Sequence, residues 1–170
     1  MVAAGPHVTE LRTVSDVRKL LRLIGNLPAA VFWSWPGSLV DAHVAQGFAW
    51  NEETVAFGVS DTDENCLVDV DVADHIELSH TAISALAVPF TAKSTKVDIG
   101  SVGYANTFTL PVGTYTLVCE TLPAAVVDHE NYDFLFRIRF VPNPHPEFKI
   151  LKQGGEVHSH EVLSRTAKRA

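Results

Sequence analysis

The sequence predicts an all-β protein, an antiparallel β-sandwich or barrel of about seven to nine strands, preceded by a short amphipathic helix. Three observations carry this. Short runs that alternate apolar and polar residues recur from residue 54 to residue 151, and turns rich in Gly, Pro and Asp separate them. No alternation of strand with helix, the pattern that builds parallel sheets, interrupts the series.

The helix comes first. Val17, Leu20, Leu21 and Ile24 recur at i, i+3, i+4 and i+7, which places them on one face over 14–24. Thr13 is in position to cap its start with Asp16 three residues on, and Gly25-Asn26 followed by Pro28 supplies the stop. Arg18, Lys19 and Arg22 form its polar face.

The strands follow. In 54–59, Val55, Phe57 and Val59 point one way. In 66–72, Val68, Val70 and Val72 face a core while Asp69 and Asp71 face outward. The apolar run 82–90 ends at Val88-Pro89 and reads as a strand covered on both faces or at a sheet edge. Further strands are expected at 96–102, 107–110, 114–120, 134–141 and 148–151. Tyr115, Leu117 and Cys119 share a side, as do Phe134, Phe136, Ile138 and Phe140 against Leu135, Arg137, Arg139 and Val141. Val68, Val70, Phe57, Leu117, Phe136 and Ile138 are therefore candidate core. The chain divides into a helical extension over 1–28, a β-domain over 29–151 and a flexible tail over 152–170. The tail opens on Gln153-Gly154-Gly155 and has little to bury.

Composition narrows the class. With 170 residues, 46% of them hydrophobic and 19% charged, the chain suits one folded domain and not a disordered one. It has no run of about 18 apolar residues such as a membrane helix needs. Residues 1–10 show neither the basic nor the apolar region of a secretory leader. Cys66 and Cys119 fit two thiols in a reducing compartment, so the expected location is the cytoplasm. The net charge of −7 is unevenly spread: from 23 to 136 only Lys93 and Lys96 oppose fifteen acids, whereas 137–170 carries seven basic residues and three acidic ones. So acidic a body repels phosphates, which argues against nucleic acid and anionic membranes and for a basic protein partner.

Few motifs carry chemistry. Asp61-Thr62-Asp63-Glu64-Asn65 has oxygen ligands at alternate positions, but an EF-hand needs Gly and Glu where Cys66 and Val72 stand. It reads as a polar turn or as a calcium site of another geometry. His158-Ser159-His160-Glu161 lies in the expected tail, where a metal geometry has no rigid support. His-Glu-x-x-His, P-loop and Gly-x-Ser-x-Gly motifs are absent, and no catalytic residue or cofactor is assigned. The densest feature is acidic: Asp61, Asp63, Glu64, Asp69, Asp71, Asp74 and Glu77 occur with no Lys or Arg among them. They form a candidate partner-binding patch, the plainer alternative being a solvated acidic face. Trp33 and Trp35, in Phe32-Trp33-Ser34-Trp35-Pro36, are candidate interface anchors or core.

Asp41-Ala42-His43-Val44-Ala45-Gln46-Gly47-Phe48-Ala49-Trp50, then Val55-Ala56-Phe57-Gly58, resembles the opening of the competence protein J family. Ala87-Val88-Pro89-Phe90 and the stretch from Phe108 to Pro123, with its Pro111-x-Gly113-x-Tyr115-x-Leu117 turn and strand, continue the resemblance, which covers about 31–151. The family is non-enzymatic, and its best-known member is a small cytoplasmic inhibitor of a DNA-entry nuclease. The resemblance implies a nuclease inhibitor or immunity-type protein whose partner is a cationic nuclease or other basic protein, and it carries no catalytic residues across. The alternative, from the residues alone, is a ligand- or divalent-metal-binding β-sandwich serving as a sensor or membrane-surface module.

Overall fold

The alternating runs pair into three sheets. The computed structural model describes residues 40–52, 54–58, 66–101, 104–127 and 129–167. The helix expected at 14–24, Trp33 and Trp35, and Asp61, Asp63 and Glu64 lie outside them. Chain order is α1 (Asp41–Gln46), β1 (Phe48–Trp50), β2 (Val55–Phe57), β3 (Cys66–Val72), β4 (Ser84–Ala92), β5 (Lys96–Ser101), β6 (Tyr104–Thr109), β7 (Gly113–Val127), β8 (Glu130–Pro142) and β9 (Lys149–Lys152). A five-stranded sheet has the order β3-β8-β7-β4-β9, while β1–β2 and β5–β6 form two antiparallel ribbons.

Register explains the core. Val68 lies level with Phe136 and Val70 with Ile138; Cys119 lies level with Ile138 and Leu86, and Leu117 with Phe140 and Val88. One face of the large sheet is thus continuously apolar. Phe48 and Phe57 from the first ribbon and Val97, Ile99 and Phe108 from the second pack onto that face in a single cluster. Phe140 sits at its centre, stacked on Phe108 at 5.7 Å and met edge-on by Phe90 at 5.3 Å and Tyr115 at 6.0 Å. Each such side chain contributes about 2 kcal/mol on burial. The core lies between a sheet and two ribbons, the layered alternative to a barrel, and all six candidate core residues are buried.

The Pro-x-Gly-x-Tyr turn is closed by its own tyrosine, whose hydroxyl donates to the Pro111 carbonyl at 2.6 Å. Pro89 is accommodated inside β4 by a neighbour: its carbonyl accepts from Trp50 Nε1 at 2.6 Å. Within a strand a residue's N–H and C=O point to the same side, so the missing N–H of Pro89 falls on that side and not on the β7 ladder.

Three features differ from expectation. β3 and β8 run parallel, so the large sheet is mixed and not wholly antiparallel. Alternation records which face a residue occupies but not the direction of its strand, and the chain returns to the β3 edge only after crossing β4 to β7. Second, β7 and β8 extend well beyond 114–120 and 134–141. Pro123 lies past the last β4 partner, Thr121, in a ribbon where proline is tolerated.

Third, residues 153–167, expected as part of a flexible tail, run along α1 and β1. The amides of His158 and Ser159 donate to the Ala45 carbonyl, the Ala167 amide donates to the Trp50 carbonyl, and Val157 and Ala167 are buried. The Gly-Gly pair is a fitted turn and not a loose hinge. A Cβ on Gly154, at φ +149°, would stand 2.3 Å from the Ile83 carbonyl oxygen, and Gly154 bridges to Val157.

Candidate functional site

The outer face of the large sheet holds the acids that the sequence singled out. Parallel register sets Asp69 of β3 level with Arg137 of β8, and Arg137 level with Glu120 of β7. Asp71 is level with Arg139, which is level with Val118. Carboxylate, guanidinium and carboxylate therefore alternate across three strands.

The contacts are unequal. Arg139 Nη2 donates to Asp69 Oδ2 at 2.5 Å, and Arg139 Nη1 donates to the Asp69 and Ile138 carbonyls at 3.2 and 3.0 Å. Arg137 stands farther off, with Nε 3.9 Å from Asp69 Oδ2 and Nη1 3.8 Å from Glu120 Oε2. Glu120 is 1% exposed. Its Oε1 accepts from the Ser79 amide at 2.7 Å, which fixes the end of the 73–79 loop, while Oε2 and Arg137 Nε have no hydrogen-bond partner. The Asp71 carboxylate accepts from the Val72 amide at 2.8 Å.

The 73–79 loop leans over this face and leaves a cleft of about 340 Å³, floored by Val118, Val141, Arg137 and Arg139 and walled by residues including Leu78 and Glu77. Beside it Ala87, Val118 and Val141 form a small apolar cluster with Ala73, Leu78 and Leu151. Asp74 and Glu77 are exposed on the loop, and Glu77 Oε2 lies 3.6 Å from His75 Nε2. Of the seven acids in the expected patch, the structure describes Asp69, Asp71, Asp74 and Glu77. Asp69 is committed to Arg139, and Asp74 and Glu77 form the exposed rim.

Sequence reasoning overlooked Arg137, Arg139 and Glu120. The signal was present in the alternation of 134–141, which puts both arginines on the outward face. Their attachment to Asp69 and Glu120 depends on a register that only the folded sheet sets. Among the described residues, no three His, Cys, Asp or Glu side chains are grouped to hold a metal ion. Cys66 and Cys119 are not joined. Cys66 lies level with Phe134 and Cys119 with Ile138, so four residues of β8, roughly 13 Å, separate them along the sheet, well beyond disulfide reach. Burial, and to a smaller degree the adjacent Glu120, pushes the Cys119 thiol up to about 12.

The model of the competence protein J (ComJ) family matches residues 35–141, which take in α1, the site strands β3, β7 and β8, and the cleft loop. The chain belongs to the competence protein J family. The fold is also that of a solved member, the crystal structure of "ComJ, inhibitor of the DNA degrading activity of NucA, from Bacillus subtilis". The two share 24% identity with a TM-score of 0.53, over 68% of this chain and 87% of that one. Comparison with the curated proteins gives no match. Family membership gives the opening motif 41–50 a structural meaning here. His43 and Gln46 bind the 163–166 backbone and side chains, and Gly47 at φ +76° ends α1 where a Cβ would stand 2.8 Å from Val157 Cγ2. Residues 153–167 lie beyond the matched span, so motif residues of this family chain hold a segment outside that span.

Proposed function

We propose that this chain inhibits a DNA-degrading nuclease by binding it directly. It acts as an acidic, non-catalytic protein-binding domain in the cytoplasm. Membership of the ComJ family, one of whose solved members is described as an inhibitor of NucA, is the observation that carries the reading. Charge supports it. An enzyme that grips DNA presents cations, and the 23–136 body with fifteen acids against two lysines is complementary to them. Asp74, Glu77 and Asp71 are the contact acids of this reading, with Asp61, Asp63, Glu64, Trp33 and Trp35 as further contacts. Asp69 contributes mainly through the ion pair that orders its strand edge.

The test is degradation of plasmid DNA by NucA of Bacillus subtilis, and by the host nuclease most similar to it, with rising amounts of the purified chain. Stoichiometric loss of cleavage that weakens with salt is expected, because the Debye length shrinks from about 10 Å at 0.1 M to about 3 Å at 1 M. Unchanged cleavage by both enzymes at saturating protein would sink the reading.

A further inference from the structure

Two arginines on one strand are treated differently by the fold. Arg139 donates to the Asp69 carboxylate and to the Asp69 and Ile138 carbonyls. Arg137, two residues back on the same face, makes no hydrogen bond among the described residues. Asp69 Oδ2 stands 3.9 Å from its Nε and Glu120 Oε2 stands 3.8 Å from its Nη1. Two carboxylates thus hold the guanidinium electrostatically without meeting it at hydrogen-bond distance. Its Nε is buried and unsatisfied, yet the side chain is 31% exposed and lines the cleft beneath the 73–79 loop. A guanidinium with five donors and no acceptor is unusual in a folded protein, and this one stands where a ligand is able to reach its Nη groups.

The cleft around it is already formed. The 73–79 loop is tied at both ends, the Ala73 amide donating to the Phe140 carbonyl and the Ser79 amide to Glu120. Val118 and Val141 close the floor, while Ile76, 44% exposed, and the half-buried Leu78 supply apolar wall. A volume of about 340 Å³ suits a small molecule or a single terminal residue. The surrounding acids set the charge of the guest. Asp69, Glu120 and, on the loop, Asp74 and Glu77 leave one guanidinium without a close partner and repel a second negative charge. A monoanion fits that balance better than a phosphate dianion, and the planar fork of an arginine matches the two oxygens of a carboxylate.

We propose that this cleft binds a carboxylate with a short branched apolar body, the carboxylate on Arg137 and the body against Ile76 and Leu78. A free branched-chain acid and the C-terminal residue of a polypeptide present the same chemistry. The site goes beyond the nuclease-inhibitor reading and does not rest on it.

The experiment titrates the full ¹⁵N-labelled chain with N-acetyl-leucine, 4-methylpentanoate, N-acetyl-leucinamide and inorganic phosphate, following the amides of 76–79, Val118, Arg137, Arg139 and Val141. N-acetyl-leucine should shift them saturably with a dissociation constant of about 1 mM, the strength expected of so small a ligand. N-acetyl-leucinamide, which lacks the charge, and phosphate should bind at least about tenfold more weakly. 4-Methylpentanoate separates the two sources: affinity equal to that of N-acetyl-leucine assigns a free acid, and weaker affinity assigns a chain terminus, the site standing in both cases. Arg137→Lys keeps a charge between Asp69 and Glu120 but lacks the fork, and should weaken N-acetyl-leucine about tenfold. The amide comparison uses the wild-type chain, so the test holds even where the variant fails to fold. No saturable shift with either acid up to about 20 mM, or binding of the amide or of phosphate as tight as that of the acids, overturns the proposal. Inhibition of a nuclease is read in a separate assay and is untouched by either result.

Discussion

The carboxamide of Gln46 grips Ser164 at both ends of the residue. Oε1 accepts from the Ser164 amide at 2.8 Å, and Nε2 donates to the Ser164 carbonyl at 2.8 Å. The remaining capacity of the same group goes to the Leu163 amide and the Phe48 carbonyl, both at 2.9 Å. A side chain that is 0% exposed thus makes the four hydrogen bonds a carboxamide is able to make, and through them the C-terminal segment becomes part of the domain.

Replacing Gln46 by Ala should therefore be costly, because three backbone groups of the docked segment lose their partner. A loss of about 3 kcal/mol is expected, from roughly 1 kcal/mol for each group left without one. At about 2–4 °C per kcal/mol for a domain of this size, the melting temperature should fall by roughly 10 °C. Truncation after Leu151 should cost at least as much. Calorimetry of both proteins decides it: a shift under about 2 °C would mean that the segment is not held.

Asp69 and Asp71 should respond differently to neutralisation. Asp69→Asn breaks the 2.5 Å pair with Arg139 at a half-exposed site and should destabilise by about 1 kcal/mol. Asp71→Asn keeps an oxygen able to accept from the Val72 amide and should change stability by less than about 0.5 kcal/mol. Urea unfolding of the two single variants checks this, and equal midpoints would contradict it.

Stability should decline in alkali. The Cys119 thiol rises from the ordinary 9.0 to about 12 in the fold, because burial disfavours its thiolate. Below pH 9 both folded and unfolded chains keep the proton, and the contribution is complete. Between pH 9 and pH 12 the unfolded chain releases it and the folded chain does not, so stability is lost as pH rises through that window. The Tyr115 hydroxyl, also raised by burial, adds to the fall above pH 10. Denaturant midpoints at pH 8, 9.5 and 11 should decrease in that order. Native Cys119 should also resist alkylation at pH 8 while the unfolded chain reacts.

Glu120 joins the sheet to the cleft loop. Glu120→Ala releases the Ser79 amide and removes the carboxylate nearest Arg137 Nη1. It should cost about 2 kcal/mol and raise the exchange rate of the Ser79 amide. An unchanged Ser79 amide would show that the loop is held by its apolar contacts alone.

Much of this protein follows from the sequence by itself. Val68, Val70, Phe136 and Ile138 announce their strands and their buried face, because a period of two leaves a pleated chain no other way to hide them. The family is legible too, since its motifs include Gly47, which the left-handed end of α1 demands, and Tyr115, whose hydroxyl closes the turn onto the Pro111 carbonyl. Strand direction and neighbours are not local. Whether Asp69 lies against solvent or against Arg139 depends on a parallel register between strands more than sixty residues apart. The residues 41–46 gave no helical signal strong enough to be read, and their short helix persists because the C-terminal segment packs on it. That segment looked like a tail because it has few apolar residues. Its place is held instead by backbone hydrogen bonds to Gln46, Ala45 and Trp50, and such bonds leave no trace in hydropathy because every residue carries the same donor and acceptor.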